Sequence, residues 1–420
     1  MVYRQLCAAI VLVAVAGCGI QRKVELEGFA LWDKPVAEVE HANIALAWVR
    51  KMGRGGAERY AKLRPELSGQ QLFLADRDGW VTSYDTASGK TRWVHHYDVS
   101  FSSGPHVVNE MVLLGTRAAE VVVLARDDGH LLWRSRVSSE VLSVPQANRD
   151  WVVVQTVDGR VYCLRSRDGQ RVWTYDRSVP VLSLRGTSGP VVLEDKVIVG
   201  FDNGKLVALA LADGKLLWEQ AVASPQGRTE LERMVDIDGD LASDSQYVYA
   251  VSYQGKIAAL TLDNGRVAWS RDMSAFIGPV LVESRLYIVD DKGVLWALDR
   301  DSGAAVWRQD ILKGQASTAP VWQDGTVAVG TRAGAIYWFN AADGAALGQF
   351  GYRDLVSKIE DDANVTTSVD PFTPEDLTHV FEEYDVVASP VAQGRRLYVS
   401  YRNGVVAAVG WPIDKKVARP

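Results

Sequence analysis

Apolar residues in this chain come in short alternating runs separated by Gly, Asp and Asn, and the order of the runs repeats along the 420 residues. One run opens on proline and valine: Pro190-Val191 to Val199, Pro279-Val280 to Ile288, Pro320-Val321 to Val329, Pro390-Val391 to Val399. Another follows a polar-Gly pair at Gly79, Gly159, Gly204, Gly255, Gly293, Gly334 and Gly404, and Arg117 to Leu124 fills one copy without the glycine. A third reads Gly, three residues, Trp, and ends at Trp93, Trp133, Trp173, Trp218, Trp269 and Trp307, with Trp48 at the end of one more copy. Period-two alternation bounded by turn residues predicts antiparallel strands in a meander. A return every roughly 40–50 residues predicts a solenoid or a propeller, and four strands per unit make one propeller blade.

Counting units predicts the blade number. Seven end at Trp93, Trp133, Trp173, Trp218, Trp269, Trp307 and, in degenerate form, at Phe350. Residues 386–411 supply three more strands, and the segment around Trp48 is an outer strand without its blade. Joined, they predict an eighth blade, which removes the seam and its exposed strand edges. The expected fold is therefore all-β, an eight-bladed propeller of four-stranded antiparallel blades over residues 43–412. The glycine before each Trp is expected in a two-residue hairpin that needs positive φ. The Trp, on the outer strand, is expected to dock on the neighbouring blade and satisfy its indole N–H there.

Composition adds little to this frame, but the N-terminus adds much. A net charge of −6 gives no reason to expect nucleic-acid binding. Arg4 precedes the apolar stretch Leu6 to Ala16, which is too short to span a bilayer and ends in Ala16-Gly17-Cys18. This reads as a signal peptide over residues 1–17. The small residues and cysteine resemble a bacterial lipobox, which implies lipidation of Cys18, and Gly19 rather than Asp after it implies sorting to the outer membrane. Residues 18–42 then form the lipidated end and a linker. Of the three cysteines only Cys163 would remain, inside a strand, so no internal disulfide is expected.

Departures from the repeat are where function is expected. The connectors after Trp173 and Trp218 are longer than the rest, consecutive, and on the same rim, so they should form one surface feature. The first carries Leu182, Leu184 and Arg185; the second carries Asp236, Asp238 and Asp240. Two readings fit that composition: core leucines with solvated charges, or an apolar contact anchored by charge, as at interface centres. The three aspartates begin like a calcium loop, but Leu241 and Tyr247 stand where that pattern needs Gly and Glu, so no metal is expected. A further insertion, residues 351–385, holds ten acidic residues against Arg353 and Lys358. Thr373-Pro374-Glu375-Asp376 reads as the start of a short helix there. The insertion fits either a solvated loop or an extra partner contact.

The repeat phrases resemble those of quinoprotein dehydrogenases, but the adjacent cysteines near that family's cofactor are missing here. Lipobox, eight repeats, LSLRG and TELERMVDID in that order resemble the BamB family, the propeller lipoproteins of the outer-membrane β-barrel assembly machinery. That resemblance implies a non-enzymatic scaffold without cofactor, lipid-anchored in the outer membrane and facing the periplasm. Its implied partners are the POTRA domains of BamA, other subunits of the complex, and unfolded outer-membrane proteins. It also implies a BamA-binding set: Leu182, Leu184, Arg185, Asp236 and Asp238. A small quinoprotein-like dehydrogenase and a propeller for another protein or a glycan are the alternatives.

Overall fold

The computed structural model describes residues 39–40, 42, 44–53, 62–177, 186–224, 228–229, 232, 234–361, 367–369, 385–386 and 388–411. Seven antiparallel blades follow in order: Glu66–His96, Phe101–Arg136, Gln146–Tyr175, Val191–Ala221, Ala242–Asp272, Val280–Gln309 and Val321–Gly351. The eighth takes three strands from Val391–Gly410, and its fourth is Ala45–Lys51 from the other end of the chain. There Trp48 pairs with Ala408 and Val49 with Ala407, antiparallel. The fold is the eight-bladed propeller that the repeat predicts.

Each hydrophobic cluster sits between two consecutive blades. Phe73 and Val81 of blade one meet Val112 and Val122 of blade two; Trp48 and Val406 of blade eight meet Leu72 and Tyr84 of blade one, which closes the ring. The two middle strands of a blade are therefore buried on both faces. That is why Val121-Val122-Val123-Leu124 reads as a continuous apolar run, all of it at 0 % exposure. The outer strands of blades one to four and six each bury one residue, and that residue is the Trp.

The expected docking of the tryptophans holds at seven junctions. Nε1 of Trp48, Trp93, Trp133, Trp173, Trp218, Trp269 and Trp307 donates to Thr86, Arg126, Ser166, Leu211, Leu262, Arg300 and Ala341 O of the next blade, at 2.7–3.1 Å. Each indole also lies against the hairpin glycine of that next blade. A Cβ on Gly214 would stand 2.8 Å from Cδ2 of Trp173.

Two local expectations are corrected. The hairpin before each Trp is not a two-residue turn. Asp85 N–H donates to Lys90 O and Gly89 N–H to Asp85 O, so the loop spans residues 86–89 and Gly89, at φ +65°, ends it. The glycine is needed for its left-handed backbone and because an indole packs where a side chain would be. In blade seven the Trp position is held by Gly348, not Phe350: Trp338 pairs with Gly348 as Ser83 pairs with Trp93.

The acidic insertion starts as part of the frame. The helix Tyr352–Asp361 buries Tyr352 and Leu355. The strand Thr367–Val369 pairs parallel with Val49–Lys51 and adds a fifth strand to blade eight. The expected helix at Thr373, the signal segment and Cys18 lie outside the described residues.

Candidate functional site

Both long connectors lie on the rim that also carries the turns between second and third strands. At blade three the turn residue Val157 donates its N–H to Glu140 O of the preceding connector; at blade six Asp291 does so to Ser274 O. Tyr253 makes the same bond to Asp236 O, 2.9 Å, at blade five. Asp236 thus occupies a regular scaffold position, and the extra length of its connector lies upstream of it.

Leu182, Leu184 and Arg185 lie outside the described residues. Their immediate neighbour Gly186 is described, and it packs on Asp238: a Cβ there would stand 2.6 Å from Asp238 Cγ. Gly189 N–H donates to Asp240 Oδ1 at 3.1 Å. The two connectors therefore meet, as their spacing predicts. Asp236, however, is buried at 1 % exposure, so it is not one of a row of solvated acids.

Charge here is organised by cations from a third segment. Lys62–Leu63 pairs parallel with Ser103–Gly104, on the inner side of blade two. Lys62 Nζ donates to Thr187 O at 2.8 Å, Asp238 O at 2.8 Å and Asp240 Oδ1 at 2.9 Å. Arg64 Nη1 donates to Asp240 Oδ2 at 2.8 Å. Burial alone would raise the Asp240 carboxyl; the Lys62 and Arg64 charges reverse that and hold it well below the usual carboxylate range. Burial pushes Asp238 up to about 8, helped by the charges of Asp236 and Asp202 and opposed by Lys62. Asp238 is thus largely protonated at neutral pH and can donate as well as accept a hydrogen bond. Among the described residues its Oδ1, sealed from solvent, has no hydrogen-bond partner.

Sequence reading missed two features of this rim. Lys62 and Arg64 sit in an unrepeated segment, and nothing in their neighbourhood signals a tie to residues so distant. Tyr253 and Phe276 stack at 4.6 Å and 22°, with Phe276 exposed. An exposed aromatic in a connector was the available signal for that pair. Its loop touches the aspartates' loop, since a Cβ on Gly239 would stand 2.3 Å from Gly278 N.

Eight antiparallel blades, the last closed by strands from both ends of the chain, make this protein a β-propeller. Within that class, the family model described as outer membrane protein assembly factor BamB matches residues 77–309 and 297–347. The outer membrane protein assembly factor BamB of Yersinia pestis is 32% identical over 327 residues, 75% of this chain and 83% of that protein. The crystal structure of BamB from Moraxella catarrhalis superposes with a TM-score of 0.72 at 22% identity, covering 87% of this chain and 99% of that one. A quinohemoprotein alcohol dehydrogenase of Pseudomonas putida HK5 gives 0.64 at 11% identity, covering 90% of this chain and 78% of that one, a likeness of fold alone. The chain belongs to the BamB family.

Proposed function

We propose that this chain is a non-enzymatic scaffold in outer-membrane protein assembly, docking a POTRA domain of BamA through its two long connectors. The observation that carries the reading is their meeting on one rim, with Gly186 against Asp238 and Gly189 bonded to Asp240. In this reading Leu182 and Leu184 supply the apolar contact, Arg185 the charged anchor, and Asp236 and Asp238 belong to the second connector of the same surface. Cys18 carries the lipid that holds the chain to the outer membrane, with the propeller in the periplasm and within reach of other subunits and unfolded clients. The family's relatives bear the name of assembly factors, and likeness to the alcohol dehydrogenase extends to the fold only.

Reversing the anchor charge tests the reading. Arg185→Glu sets a carboxylate against a fixed partner surface and is expected to abolish most recovery of BamA in a pull-down from solubilised membranes. Unchanged recovery would remove these connectors from the docking surface.

A further inference from the structure

We propose that Lys62 is a positioning residue for docking: from inside the ring it fixes the spacing of the two rim connectors without touching the partner. This deepens the docking reading and rests on it. The Lys62 ammonium has three protons and meets three acceptors: a carbonyl of the first connector at Thr187, a carbonyl of the second at Asp238, and the Asp240 carboxylate. Asp240 closes the arrangement by accepting from Gly189 N–H of the first connector and from Arg64. Three segments remote in sequence, before blades one, four and five, thus share one charge cluster.

The bonds are placed for this task. Thr187 lies two residues after Arg185 and next to Gly186, which packs on Asp238. The second carbonyl is that of Asp238 itself. A shift at Lys62 therefore reaches both halves of the proposed docking surface through the main chain. An ordered surface binds more tightly than the same surface that must be ordered on contact. No blade needs this ammonium for its pairing: the strands of blades four and five are complete through their own ladders.

The test uses the full chain and purified BamA POTRA domains, with affinity measured by titration and folding followed by thermal unfolding. Lys62→Met is expected to weaken binding about ten-fold while a cooperative unfolding transition remains. Lys62→Arg keeps the charge on Asp240 and several donors, and is expected to recover most of that loss. A general loss of stability would not be reversed in binding alone by the conservative variant. Should Lys62→Met fold poorly, Asp240→Asn, which keeps both carbonyl bonds, is expected to weaken binding about two- to three-fold. Full affinity in Lys62→Met or in a folded Asp240→Asn, with binding lost in Arg185→Glu, overturns the positioning role and leaves the docking reading standing. Full affinity in Arg185→Glu as well removes the docking reading and this inference with it.

Discussion

Seven blade junctions are closed by an indole seated on a glycine; the junction between blades seven and eight is closed by other means. At the seven, an outer-strand Trp donates to a loop carbonyl of the next blade and covers that loop's left-handed glycine. At the eighth, Gly348 stands in the Trp position, and a Cβ on it would meet Ala42 Cβ at 2.8 Å. Residues 40 and 42 run along that edge: Ala42 N–H donates to Gln349 O at 2.8 Å and Gln349 N–H to Glu40 O at 3.0 Å. The core beside it holds Trp338 and Trp411, 5.1 Å apart, together with Tyr352 and Leu355 of the insertion's helix.

The cause is the way the ring closes. A staple needs a hairpin between the third and outer strands of the next blade. In blade eight those strands are Val405–Gly410 and Ala45–Lys51, from opposite ends of the chain, so no loop joins them. An indole at position 348 would find neither the glycine nor the carbonyl that the other seven use. The tryptophan is missing where its receptor is missing.

The largest effect should come from removing the strand that closes the ring. A chain beginning at residue 52 loses Ala45–Lys51, and with it Trp48 and Val49, both essentially fully buried. Trp48 alone is worth about 3–5 kcal/mol on truncation to Ala. Loss of the whole strand also strips Val405–Gly410 of one of its two neighbours, and the combined cost exceeds the ~5–15 kcal/mol that holds an ordinary domain folded. Calorimetry is expected to show no cooperative transition for this chain. A transition near that of the full chain would mean that blade eight is not needed for closure.

Second in size is a single staple. Trp173→Ala should cost about 3–5 kcal/mol in chemical denaturation, from lost burial and a cavity. Gly214→Ala alone should cost less, combining about 1–2 kcal/mol of left-handed backbone strain at φ +72° with the clash against Trp173. With the ring already gone only the strain remains, so the double variant should be more stable than the summed single costs predict. Strict additivity would show that ring and glycine do not act as one unit.

These two features differ in how they stand in the sequence. The blade count is legible because six Gly-x-x-x-Trp phrases and Trp48 mark it, and the physical need for a Trp on one blade and a Gly on the next acts at seven of the eight junctions. The hairpin length is not legible, because a glycine at positive φ serves a two-residue turn and a four-residue loop equally. Phe350 stood out as the nearest large apolar residue, yet counting four from Gly344 gives Gly348, and the counting rule is the one that held. At the rim, connector lengths located the meeting of the two loops. The burial of Asp236 was hidden, since three acids at alternate positions read as solvated. The Lys62 tie was hidden too: it joins residues 176 and 178 apart, and no pattern carries such a pairing.

The smallest expected effect lies at the unstapled junction and separates a scaffold from a cover. Gly348 is not among the residues at positive φ, so Gly348→Ala adds a methyl without backbone strain. That methyl meets Ala42 and the Glu40 carbonyl, which belong to a segment at the edge of blade seven rather than to a blade. The segment can move outward, so the cost should be about 1 kcal/mol or less, below that of Gly214→Ala. Hydrogen exchange gives the sharper reading. Protection of the Ala42 and Gln349 amides should fall, because each bonds across this edge, while the amides of Val327 to Val329 in the same blade keep theirs. If protection falls throughout blade seven, residues 40–42 are as integral as a staple, and the junction differs from the other seven in form but not in strength.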